Sequence, residues 1–151
     1  MPPAPAAPGG YLTLDQPSLF WRAWDIVQHD RTLARIARAG WRRFTVETAD
    51  GREEARFSGA KLLLGALAAA PAPGGARLDA WRLSYRSREV EYPTLADHDG
   101  PLALFGDAKS SGFSAQAQVW AADRFLVLGP PAVRALAACV LVLRERPGGF
   151  R

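Results

Sequence analysis

Two histidines, one cysteine and seventeen arginines are the side chains of this sequence whose chemistry would matter most. His98 stands in Asp97-His98-Asp99-Gly100. Those are metal-ligand residue types, yet a tight turn calls for the same short polar side chains, and a turn is the reading taken here. His29-Asp30 reads the same way. Cys139 lies in an apolar run with no cation within two residues, so nothing there favours a thiolate nucleophile. A single cysteine also excludes an intramolecular disulfide. Ser110-Ser111-Gly112 and Gly9-Gly10 lack the strand-to-helix setting and the lysine of a phosphate loop. No pairing of carboxylates can be established from spacing alone. The expectation is a protein without catalytic residues, cofactor or metal.

The arginines remain. Basic residues number 19 against 15 acids, for a formal charge of +4, and only Lys61 and Lys109 are lysines. An arginine and alanine bias of this kind is also what GC-rich codon usage produces, so position says more than the total. Arg31, Arg35, Arg38, Arg42 and Arg43 fall in a stretch with no acid, whereas Glu89, Glu91, Asp97, Asp99 and Asp107 fall in one with no Lys or Arg. Either the two segments face one another in the fold, or the basic one meets an external anion. In an extended strand Arg35 and Arg38 point to opposite faces, so the usable cluster is Arg38, Arg42 and Arg43 at the Ala39-Gly40-Trp41 bend. Guanidinium groups grouped at a bend suit carboxylate or phosphate. The first partner class is thus an anionic ligand or phospholipid head group. The second is single-stranded nucleic acid, stacked on Trp21, Trp24 or Trp41. The third is another protein. The bland alternative for the tryptophans is core and rim packing.

The composition, 48% hydrophobic and 23% charged over 151 residues, describes one water-soluble globular domain with enough chain for its own core. Residues 1–10, with four prolines and little apolar surface, read as a disordered tail, and 11–147 as the domain. An apolar residue four places before an aspartate recurs at Ile26/Asp30, Val46/Asp50, Leu95/Asp99 and Val119/Asp123. With the Pro71–Gly75 cluster these turns describe a meander of five hairpins. Phe44-Thr45-Val46-Glu47-Thr48 and Trp81 to Arg86 alternate with period two and read as half-buried strands. Residues 30–40 match either strand or helix spacing; their place between strands favours strand. Lys61 to Ala70, rich in Ala and Leu and stopped by Pro71, reads as a short inserted helix. Beyond Gly129-Pro130-Pro131, residues 132–146 carry helix punctuation at both ends and are apolar all round except for Arg134. A helix apolar on every side is buried on every side. In a domain of strands, the inside of a barrel is the place that surrounds it. The fold class expected is mainly β, an antiparallel meander closed into a β-barrel around a buried C-terminal α-helix. The longest apolar run is far short of the roughly 20 residues of a membrane span, and the lone cysteine favours a cytoplasmic location, with peripheral membrane attachment as a variant.

In this order of elements the chain resembles the tubby-like C-terminal domain superfamily, which includes LURP-one-related and scramblase proteins. The likeness rests on the run Leu33 to Arg52, the repeated turn and the closing apolar helix, and covers roughly residues 11 to 147. It implies a barrel of about twelve antiparallel strands around a central helix, with one or two strands abbreviated in so short a chain. Tubby domains bind phosphoinositides through basic side chains, but no Lys/Arg pair here matches that pocket. The cysteine-rich and calcium-binding stretches of scramblases have no counterpart. No functional residue is carried over.

Overall fold

A computed structural model describes residues 2–17, 23–112 and 114–145. Alternation of apolar and polar residues writes most of the chain into short strands: β1 Gly9–Gln16, β2 Ala23–Gln28, β3 Arg31–Gly40, β4 Arg43–Thr48, β5 Gly51–Ser58, β6 Lys61–Leu64, β7 Leu67–Ala72, β8 Gly75–Leu78, β9 Trp81–Ser84, β10 Thr94–Asp97, β11 Gly100–Phe105, β12 Lys109–Ser111 and β13 Ser114–Ala122. Two helices follow, α1 Asp123–Leu126 and α2 Pro130–Glu145. From β1 to β11 each strand pairs antiparallel with the next. β11 pairs with β13, and β13 runs beside β1 from Gly9↔Ala122 to Gln16↔Ala115, which closes the sheet. Twelve strands make the closed wall, while β12 extends the β11 side of β13. Closure removes the sheet edges that would otherwise invite aggregation.

Period-two alternation sends one set of side chains inward: Leu12 and Leu14, Trp24 and Ile26, Ala34 and Ile36, Phe44 and Val46, Ala55 and Phe57, Leu62 and Leu64 are all buried. A wall of twelve strands encloses more space than side chains alone fill in an eight-stranded barrel. α2 fills it. Every residue from Ala135 to Leu143 is at most 4% exposed, and nine consecutive buried residues cover all sides of a helix. Four alanines in α2 keep the helix slim. Pro130 and Pro131 open the helix without N–H groups, and the Ala132 and Val133 amides both donate to the Gly129 carbonyl. Arg134 leaves the core near the open end, where its Nε donates to Glu53 Oε1 at 2.6 Å. Facing strands and α2 therefore agree on one architecture, a closed antiparallel barrel with the C-terminal helix inside.

Three expectations change. Lys61 to Ala70 is a hairpin of β6 and β7, because Gly65 takes φ +56 and breaks any helix while Leu62 and Leu64 alternate inward. Residues 30–40 are strand, as favoured; the hairpins number more than five, and the turn expected at Val119/Asp123 is instead the start of α1. The tail is also not free. Gly9 and Gly10 belong to β1, Pro2 is buried, Tyr11 Oη donates to the Pro2 carbonyl at 2.9 Å, and the Asp123 amide donates to the Pro8 carbonyl at 3.0 Å. What the segment covers, not its own side chains, offsets its ordering cost.

The meander places alternate turns at opposite ends of the barrel. His29-Asp30, Asp50, Gly65, Asp79 and His98-Asp99 lie at the end where α2 begins; Trp41-Arg42, Gly59 and Gly74 lie at the other. His29 and Asp30 both have positive φ, as a two-residue hairpin turn with right-handed twist requires.

Candidate anion-binding hairpin

The β3–β4 hairpin turns at Trp41-Arg42, with Arg42 at φ +56 and a register shift between Arg38 and Gly40. The shift gathers what the sequence grouped, but not all three arginines. Arg38 Nε donates to the Gly40 carbonyl at 3.3 Å, and a Cβ built on Gly40 would lie 2.9 Å from Arg43 Nη2. Both guanidinium groups converge on Gly40. Any side chain there would displace that of Arg43.

Arg42 points elsewhere. Its guanidinium donates to the Gly59 carbonyl in the next turn at that end, and its Cζ lies 5.7 Å from the centre of the Phe57 ring. The Phe57 amide in turn donates to the Arg42 carbonyl at 3.0 Å. Arg42 clamps two hairpin turns together, and its Nε is buried without a partner. Of the three arginines proposed from sequence, Arg38 and Arg43 form the open pair and Arg42 is held within the protein.

Two further features escaped the sequence reading. Arg56 stands directly opposite Arg43 on β5, and both are exposed. Like charges in that position repel unless an anion lies between them. Arg38, Arg43 and Arg56 take part in none of the ion pairs among the described residues. Trp41, at the tip, is 80% exposed. The Arg43–Arg56 pair was in principle legible, as two outward positions on consecutive strands; their register was not.

Arg35 of the basic segment is satisfied locally. Arg35 forms a bidentate bridge to Asp25, Nε to Oδ1 at 3.0 Å and Nη2 to Oδ2 at 3.2 Å, which raises the Arg35 pKa. Glu47, opposite Arg35, bonds Arg52 at 3.0 Å. The acidic segment is satisfied elsewhere: Asp97 accepts from Arg124 at 2.6 and 2.9 Å, and Asp107 bonds Arg86. The two segments do not pair with each other, so that explanation of their segregation fails. The Arg124 hydrogen bonds hold the Asp97 carboxyl down to about 2, below the usual carboxylate range. Asp97 also accepts from the Asp99 amide at 2.9 Å, which makes Asp97-His98-Asp99 a turn closed by its own side chain.

A cleft of about 480 Å³ opens at the opposite end, between the α1–α2 connection and β2 to β4. Its floor is Leu33, Leu126, Pro130 and Val133, and Gln28 and Arg31 stand at its edge. Beside it Val127 and Leu128 are 79% and 50% exposed.

Of the tryptophans weighed for stacking, Trp24 is 5% exposed and belongs to the core, and Trp21 lies outside the described residues. Trp120 is 1% exposed, and Trp81 packs edge-to-face on Phe125 with ring centres 5.3 Å apart. Trp41 is the exposed one among those described.

Among the described residues no three His, Cys, Asp or Glu side chains gather as a metal site, and no helix is long and apolar enough to cross a membrane. Fold and hairpin define a helix-filled antiparallel barrel that presents an arginine pair and a tryptophan at one end. Compared with protein-family models, curated proteins and solved structures, the chain finds no match.

Proposed function

We propose that the protein is a non-enzymatic binding module whose β3–β4 hairpin docks on an anionic phospholipid surface. The observation that carries this reading is Trp41, 80% exposed at the tip, beside Arg38 and Arg43 converging on Gly40 without an acidic partner. Indole rings favour the membrane interface, with the apolar body in the acyl boundary and the N–H in the head groups. Arg38 and Arg43, three and two residues from Trp41, reach phosphate with fork-like hydrogen bonds.

Single-stranded nucleic acid is the weaker reading, because such sites stack successive bases on several aromatic rings and Trp24 is in the core. Vesicles of neutral phosphatidylcholine, the same vesicles with anionic phosphatidylserine, and an oligo(dT) strand separate the readings. At about 1 kcal/mol per basic side chain, Arg38→Gln with Arg43→Gln should lose about 2 kcal/mol, or roughly 30-fold in partition onto anionic vesicles. Trp41→Ala should weaken binding to the same vesicles and abolish the blue shift of tryptophan emission on binding. Oligo(dT) binding without vesicle binding at low salt would overturn the proposal.

A further inference from the structure

Trp120 lies on the wrong face for a buried residue. Its neighbours Val119 and Ala121 point into the core, and its cross-strand partners Tyr11 and Leu104 lie, like Trp120, on the outer face of the wall. Yet it is 1% exposed. The segment before β1 crosses this face, with Gly9 against the Trp120 ring and Pro2 against Gly106 and Tyr11. Pro2 is buried and Pro5 half-buried, whereas Pro3, Ala4, Ala6 and Pro8 are exposed, and Ala7 packs against the core. Pro2 and Pro5 are three residues apart, the period of a polyproline-II helix, and the chain then bends at Ala6 and Ala7.

The groove is shaped for such a segment. A Cβ on Gly9 would sit 2.6 Å from Trp120 Cζ2, and one on Gly106 would sit 2.9 Å from Pro2 Cδ. Two glycines therefore leave room for an indole and a proline ring. Tyr11 Oη donates to the Pro2 carbonyl at 2.9 Å, and aromatic rings with a donor to the peptide carbonyl are how proline-rich segments are recognised. On the same face, two residues before Trp120, Gln118 keeps Oε1 buried without a partner. The resident segment leaves that acceptor unused.

We propose that the outer groove formed by Tyr11, Leu104, Gly106, Gln118 and Trp120 is a binding site for a polyproline-II peptide, occupied in cis by the Pro2–Pro5 segment. A proline-rich segment of a partner, bearing an N–H toward Gln118, competes with the resident one. Tethering beside the site gives the resident segment a high effective concentration, so an intact protein resists competition.

The experiment removes the resident segment. A chain lacking residues 1–8 is checked for fold by circular dichroism and titrated with a synthetic peptide of residues 2–10, followed by amide and indole NMR shifts. Saturable shifts centred on Tyr11, Leu104 and Trp120 are expected, at least tenfold weaker in the intact protein. A peptide with Gly at positions 2 and 5 should not bind. Tyr11→Phe in the shortened chain, which keeps the ring and removes the donor, should weaken binding several-fold. If the shortened chain does not fold, the intact chain carrying Pro2→Gly and Pro5→Gly takes its place. No saturable binding by a folded form, or equal binding of the glycine peptide, overturns the proposal. The readout is independent of the hairpin at Trp41.

Discussion

If α2 fills the barrel, its middle should tolerate loss of volume badly. Leu136 is 1% exposed, and neighbours one turn away on the same stripe, Ala132 and Val140, are also buried. Leu136→Ala removes three carbons, about 2.4 kcal/mol at about 0.8 per methylene, and the cavity left behind brings the total toward the 2–5 kcal/mol typical of such sites. At roughly 2–4 °C per kcal/mol for a domain of this size, about 3 kcal/mol lowers the melting temperature by about 6–12 °C. Val127→Ala is the control: it also shortens an apolar side chain, but at 79% exposure it should shift stability by no more than about 0.5 kcal/mol. Scanning calorimetry measures both, with agreement of calorimetric and van't Hoff enthalpies as the check on two-state melting. A companion, Val140→Asp, places a carboxylate where the side chain is 2% exposed and should not accumulate as a folded protein, because several kcal/mol are lost from a total of about 5–15. A melting point for Leu136→Ala within 2 °C of the parent, or a folded Val140→Asp, would put this face of α2 against solvent and refute the filled barrel.

Further expectations rest on single groups. Asp97 is held at about 2 in the folded chain, below its ordinary 3.8, so its contribution to stability is complete above about pH 4 and is lost as pH falls toward 2. Asp97→Asn should lower the melting temperature at neutral pH and flatten its decline between pH 4 and 2; an unchanged acid limb would mean that the Arg124 bridge contributes nothing. Complete burial pushes the Cys139 thiol well above its ordinary range, so it should not react with an aromatic disulfide reagent until denaturant is added. Rapid labelling of the native protein would contradict its place inside the barrel.

Much of this fold was legible in the residues themselves. Alternation gave strands at Phe44 to Thr48 and at Trp81 to Ser84, two residues short of the expected Arg86, because period-two patterning is a local property. The all-round apolar run after Pro131 gave both the helix and its enclosure, since such a surface has no stable position in water. Lys61 to Ala70 misled because alanine and leucine favour helix in isolation, whereas Gly65 and the pairing of Leu62 with Ala69 decide between strand and helix only once neighbouring strands exist. The N-terminal segment misled for a related reason: its own side chains bury little, and the Trp120 indole it covers is more than a hundred residues away in sequence.

For the candidate site, spacing alone selected the arginines at the bend, but their directions came from tertiary structure. Sequence fixes that Arg38, Arg42 and Arg43 are close along the chain. It does not fix the register shift beside Gly40, which sends Arg38 and Arg43 to one place, nor the approach of the Gly59 turn, which takes Arg42 away. The Arg43 and Arg56 opposition likewise depends on how β4 and β5 align. Local patterns determine which residues extend, turn or coil, because they follow from neighbours within a few positions. Which charges end up without a partner depends on contacts between distant segments, and only the closed barrel sets those.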